Sequence, residues 1–184
     1  MRFPTDAGRG SSLDDARFSK VANQQERVAA ISTFLGKARA EVRAAGAYLG
    51  ADIFGYVAWD EGDIGIGQQF EAVAANVDYV CPMVYPSTYN AGLPGLVGFP
   101  GVVAKPYEVV FESMKRAQAR AQGSGAVMRP WLQYFDDYPW QTGRRYNAAE
   151  VAAQRKAAAD AGSVGWMMWD PGNKYARGGL EPRR

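Results

Sequence analysis

From about residue 22 the chain alternates between segments with helical spacing and short apolar runs of strand character, and this alternation constrains the fold more than any other feature. Val28, Ile31, Phe34, Leu35 and Val42 recur at helical intervals through an Ala-rich, charged segment ending near Gly46, which predicts a long amphipathic helix. Residues 47–54 then read as a first strand, mostly apolar, closed by Gly55 and interrupted by one acid, Asp52. A Gly- and Asp-rich loop, a short helix near 67–76 and a second strand over 78–85 follow, the strand stopped by Pro86. After a long Ser87–Lys105 loop, of a length that is usually functional or mobile, Pro106 fits the first turn of a helix with Val109, Val110, Met114 and Ala117 on one face. A third strand over 127–135, a loop holding Asp136, Asp137, Tyr138 and Trp140, an Ala-rich helix capped by Asn147, and a fourth strand over 164–169 complete the pattern. Helices between all successive strands favour right-handed parallel crossovers. Two α/β architectures satisfy that, an open doubly wound sheet or part of a barrel.

Composition excludes more chemistry than it implies. With 184 residues, 47% of them hydrophobic, the chain can bury one sizeable core and reads as a single domain over 1–184. Its 21 basic and 19 acidic residues are scattered and leave a net charge of +2, so no electrostatic footprint points to nucleic acid or a membrane as partner. The lone cysteine, Cys81, cannot form a disulfide within the chain. The absence of histidine removes the Ser-His-Asp triad, the Cys-His dyad and most zinc sites, and no metal or cofactor is expected. No phosphate-cradling glycine motif follows a strand; Gly65 and Gly67 have no strand immediately before them, so a nucleotide site has little support. No apolar run approaches the roughly 20 residues that span a bilayer, and the N-terminus lacks an apolar signal-peptide core, so no compartment is assigned.

In parallel βα folds functional groups gather where strands end, and these ends are rich in aromatic and polar residues. The first offers Asp52 and Phe54, with Tyr56, Trp59, Asp60 and Glu61 beyond. On the second, Cys81, Met83 and Tyr85 share a face by two-residue alternation, with Tyr89 just past it. The third places Arg129, Trp131, Gln133 and Phe135 on one face; Trp169, Asp170 and Asn173 finish the fourth. Sugar rings present apolar C–H faces edged by hydroxyls, so flat aromatics interleaved with carboxylates, amides and guanidinium groups suit a carbohydrate. Each aromatic taken singly is equally explained as core packing. Asp52 is the sharpest residue, because an acid on an apolar strand is costly unless paired or functional, and burial would raise its pKa toward that of a general acid. Its plainer explanation is an ion pair with Arg129. Asp136, Asp137 and Asp170 read more simply as turn residues.

Five segments taken in order resemble the bacterial glycoside-hydrolase barrels described as putative glycosyl hydrolase domains: Arg2 to Pro4, Ala51 to Gly55, Pro82 to Ser87, Arg129 to Gln133 and Gly165 to Tyr175. Pro-Met-Val-Tyr-Pro-Ser and Arg-Pro-Trp-Leu-Gln are the specific stretches, supported by the Pro-Tyr-Glu helix start at Pro106. The resemblance implies a TIM (β/α)8 barrel in which Arg-Phe-Pro follows the fourth strand. Since Met1 stands directly before Arg2, the expectation is a partial barrel holding the C-terminal four βα units, with the N-terminal half and its strand-four acid missing. It also implies carboxylate chemistry on a glycan, with Asp52 as the surviving catalytic acid and Arg2, Tyr85, Tyr89, Arg129, Trp131, Gln133, Trp169 and Asp170 as substrate contacts. Two departures stand out: Thr88 replaces an expected His, and Asp170 an expected Asn. A binding module without catalysis and an inactive fragment are the alternatives, and exposed strand edges are expected to promote self-association.

Overall fold

In the computed structural model, which describes residues 23–175 and 178–180, the four expected βα units are present. Helix α1 (Gln24–Ala44) starts where the Asn23 side chain accepts the Glu26 N–H at 2.9 Å, and ends at Gly46, whose φ of +76° suits glycine. It buries Ile31 and Leu35, whereas Phe34, expected on the same stripe, is 53% exposed. Strand β1 (Gly50–Phe54) leads through a 3-10 turn (Gly55–Ala58) to the short α2 (Phe70–Ala74) and then β2 (Tyr79–Met83). The long loop carries a 3-10 turn (Pro86–Thr88) and α3 (Gly101–Ala104) before α4 (Pro106–Arg120), which buries Val109, Val110, Met114 and Ala117 as its spacing predicts. Helix α5 (Ala148–Asp160) opens on a capping box, with the Asn147 N–H donating to Glu150 at 3.0 Å.

The third predicted strand is two short pieces, β3 (Val127–Met128) and β4 (Trp131–Gln133), because Pro130 has no N–H for the ladder and Pro82 opposite has none either. Both pair with β2, so they occupy one strand position. Strand β5 (Met167–Trp169) begins later than expected; Gly165, at φ +126°, interrupts extension before it. All pairings are parallel, in the order β1-β2-β4-β5 with β3 also on β2. The strands thus run across the sheet in chain order.

Alternation along each strand sorts the two faces. Ile53, Val80, Val84, Met128 and Leu132 enter one core together with Ile31 and Leu35 of α1, Phe70 and Val73 of α2, Val110 and Met114 of α4, and Ala157 and Ala158 of α5. The helices therefore cover a single face. The other face presents Asp52, Phe54, Cys81, Met83, Arg129, Trp131, Gln133, Met167 and Trp169. An open doubly wound sheet has helices on both faces; a sheet in chain order with helices on one face is an arc of a (β/α) barrel. A second small core under the long loop gathers Tyr89, Leu93, Val102, Val103, Val109 and Tyr146.

Asp78, just before β2, ties the helix layer to the sheet. Its buried carboxylate accepts from Arg39 at 2.8 Å, from Arg43, and from the Leu49 N–H at 2.9 Å. The Arg43 bond is the largest influence holding its pKa well below the usual carboxylate range, against an opposing cost of burial. We expect Asp78→Asn to cost about 2 kcal/mol in urea unfolding. Because the carboxyl is more acidic folded than unfolded, its contribution is complete above about pH 5 and declines as pH falls through about 4 and below; the wild-type and Asn variant should converge in stability there. Equal stability of the two at pH 7 would contradict this.

Candidate functional site

Asp52, Arg129, Trp131 and Trp169, expected as site residues, lie on the uncovered face toward the ends where the strands exit. Asp52, near the end of β1, is exposed rather than buried, and its Oδ1 accepts the Trp131 Nε1–H at 2.8 Å. The expected burial is absent because no helix among the described residues lies over this face, and the carboxylate is held by an indole instead of the anticipated Arg129. Trp131 in turn meets Trp169 edge to face, ring centroids 6.2 Å apart, with Trp169 44% exposed. Register brings these groups together: Asp52 pairs with Cys81, Met83 with Trp131, and Gln133 with Trp169. Arg129 is exposed on the same face, as the alternation requires.

Cys81 lies beside Asp52 with 4% of its surface exposed. Burial, then the Asp52 charge, pushes its thiol up to about 12, with Arg129 opposing. Tyr85 is likewise buried, and burial followed by the charges of Asp52, Tyr175 and Tyr138 raises its pKa.

Three expected substrate contacts have other work. Gln133 is fully buried; its Oε1 accepts the Ser87 N–H at 3.0 Å, and its Nε2 donates to the Ser87 hydroxyl at 2.7 Å and the Phe135 carbonyl at 3.0 Å. Gln154 reaches from α5 to both backbone groups of Gln133, at 2.9 Å each. Gln133 therefore locks the exit of β2 to that of β4 and has no surface for a ligand. Tyr89 is 1% exposed within the small core, its hydroxyl 3.3 Å from Ser113 and its ring 4.9 Å from Tyr56. Asp170 is 4% exposed and accepts the Gly172 N–H at 2.7 Å, a turn residue. Arg2 lies outside the described residues. Tyr85, Arg129, Trp131 and Trp169 remain with Asp52 around one rim.

The other acids there are committed too. Asp137, 2% exposed, accepts the Thr142 N–H at 2.9 Å and the Thr142 hydroxyl; these and a Ser87 bond hold its carboxyl below the usual range even though burial is the largest single influence and opposes them. Asp136 accepts the Tyr146 N–H at 2.8 Å. Among the described residues no group of three or more His, Cys, Asp or Glu is arranged to hold a metal ion, and no helix is long and apolar enough to cross a membrane. A surface cavity of about 510 Å³ lies between α4 and the segment after β1, where Arg120 bonds Glu71 at 2.6 Å and Arg116 covers Trp59. Trp59 and Glu61 beyond β1 line it together with Glu71, Arg116 and Arg120, and none of Asp52, Trp131 and Trp169 does.

Sequence reasoning missed how the 135–142 segment is arranged. Tyr138 stacks on Trp140 with centroids 4.8 Å apart and planes 12° from parallel, and also meets Phe135 at 5.9 Å. The available signal was two aromatics, two residues apart, in a loop otherwise made of turn formers.

A parallel sheet, helices on one face and a carboxylate among aromatic rings at the strand exits define a class of α/β protein with its working surface on the barrel-interior side. The chain belongs to the family described as "putative glycosyl hydrolase domain", whose profile matches residues 1–175. No curated protein matches it. Among solved structures, that of bee venom hyaluronidase is similar at 19% identity with a TM-score of 0.35, covering 55% of this chain. This chain spans 29% of that one.

The position of Cys81 gives a direct check on the geometry around Asp52. In the folded protein at pH 8 a thiol-disulfide reagent should label Cys81 at least about 100-fold more slowly than in urea. Asp52→Asn should speed labelling of the folded protein by removing a neighbouring negative charge; an unchanged rate would separate the two side chains.

Proposed function

We propose that this chain supplies one catalytic carboxylate, Asp52, and part of the sugar-binding surface of a glycoside hydrolase acting on a polysaccharide or glycan. The observation that carries the reading is the 2.8 Å bond from the Trp131 indole to Asp52, which holds an exposed acid in one orientation beside the open face of Trp169. A glycosidase needs an acid to protonate the leaving oxygen and a second carboxylate to act as nucleophile or to activate water. Family membership supports the glycoside-hydrolase part of this reading. Tyr85 and Arg129 border the acid, and Trp131 and Trp169 offer ring faces to apolar sugar C–H groups.

One acid does not complete the pair. Asp136, Asp137 and Asp170, like Asp60, are each bound to backbone N–H groups, and we take the second carboxylate from strands that would close the arc. Both edges invite such closure: Tyr48 and Phe54 on the β1 side and Val164 and Trp169 on the β5 side are 69%, 42%, 54% and 44% exposed. Neither edge strand contains a lysine or proline to blunt pairing. On this reading the four units alone are a truncated catalytic unit, and hydrolysis requires the remainder of a barrel. The second reading, a carbohydrate-binding module without catalysis, is favoured by the same shortage of free acids.

In sedimentation equilibrium at micromolar concentration the isolated chain should exceed its monomer mass, through the two edges that no described strand pairs; a monodisperse monomer would contradict that. With the barrel completed, Asp52→Asn should lower glycan hydrolysis by at least about 100-fold without changing the melting temperature. Full activity of that variant rejects Asp52 as catalytic. Retention on a glycan without release of reducing ends, in the completed protein, selects the binding module.

A further inference from the structure

The stacked pair Tyr138–Trp140 is unlike the other surface aromatics. Trp140 is 78% exposed, yet its ring is held flat on Tyr138. Tyr138 rests on buried Phe135, and Phe135 on buried Tyr85 at 5.7 Å, so the exposed ring stands at the end of a braced aromatic column rooted in Tyr85, just past the end of β2. The backbone beneath is equally constrained. Asp137 donates its N–H to the Arg144 carbonyl at 2.8 Å and accepts from Thr142, while the N–H groups of Gln141 and Gly143 both donate to the Tyr138 carbonyl, at 2.9 and 3.2 Å. Gly143, at φ +62°, closes the turn. Isolated exposed aromatics are ordinary on protein surfaces. A large ring fixed flat by a stack and a buried acid is a preorganised platform, and ordering it in advance lowers the entropy cost of binding.

Resting on the carbohydrate reading above, we propose that Trp140 on Tyr138 forms an outer saccharide subsite, distinct from the Asp52–Trp131–Trp169 group, and that the ligand is therefore a chain of several sugar units. The two stacking surfaces belong to different segments, Trp140 to the loop after β4 and Trp169 to β5, and the ring contacts of the one do not run into those of the other. An extended glycan lying across the rim fills both, its apolar ring face on Trp140 and its reacting unit at Asp52. Trp140 is thus a determinant of chain-length preference and takes no part in bond cleavage.

The test is affinity electrophoresis of the chain in native gels cast with soluble β-glucan, xylan or glycol chitin, together with cleavage assays of the completed barrel on the same polymers and on short aryl glycosides. We expect retardation in at least one gel. Trp140→Ala should weaken it by about five- to tenfold and Trp140→Phe should largely preserve it, with cleavage of any short glycoside unchanged by either substitution. Equal retardation of wild-type and Trp140→Ala, or no retardation of wild-type in any gel, overturns the subsite. If short glycosides are cleaved while polymers are not retained, the outer subsite fails and the hydrolase reading stands. If Trp140-dependent retention occurs without cleavage even in a completed barrel, the hydrolase reading fails and the subsite stands.

Discussion

One-sided burial governs this molecule. Each strand sends alternate side chains into the helix layer, and the set that packs there is apolar: Ile53, Val80, Val84, Met128 and Leu132. Burying each stabilises the fold by roughly 1.5–3 kcal/mol, so slipping a strand by one residue would forfeit that contribution and drive the opposite set into the core. That opposite set contains Asp52, Arg129 and Gln133, whose burial against the helices would be severely unfavourable. The same constraint that holds the helices to the sheet therefore aims the chemically useful residues at the uncovered side.

Aiming them is insufficient without fixing where the strands end. Pro82 and Pro130 weaken the ladder between β2 and its neighbour near the rim, and the polar side chains of Gln133 and Gln154 take over where backbone pairing gives out. These amides are buried and bonded at both ends, which makes them strongly directional. Gln133 joins the turn at Ser87 to the backbone at Phe135, and so places Tyr85 against Phe135, while Asp137 shapes the loop beyond. The rim is thus organised by groups that no ligand can touch.

This division explains what was legible in the sequence. The four strand positions, the α4 core stripe and the Asn147 cap follow from periodicity and local hydrogen-bonding rules, and the shared faces of Cys81, Met83 and Tyr85 and of Arg129, Trp131 and Gln133 follow from simple alternation. Alternation cannot distinguish a side chain that faces a ligand from one that bonds its neighbours. Gln133, Tyr89 and Asp170 sit at strand exits with residue types suited to sugars, yet all three serve the protein itself. Asp52 erred in the other direction: an acid in an apolar strand reads as buried only if both faces are covered, and whether a helix lies over a face is a property of the whole sheet. Trp140 reads in the sequence only as a loop residue because its meaning depends on a stack with Tyr138 and on the buried carboxylate that fixes the loop.

The exposure of Asp52 also shows what closing the arc would change. In its present setting the carboxylate faces water, where electrostatic differences between transition state and ground state are strongly screened. Strands added at the β1 and β5 edges would cover Phe54, Met83 and Met167, lower the dielectric around the acid and strengthen the indole bond that orients it. Low dielectric is what separates the pKa values of two carboxylates enough for one to hold a proton while the other stays ionised. Completing the barrel would therefore do more than add a second acid: it would turn an orienting contact on an open face into an environment where Asp52 can exchange a proton with a glycosidic oxygen. The aromatic column to Trp140 needs no such change, since stacking on a sugar ring works at the water boundary, so binding along the rim can precede catalytic competence.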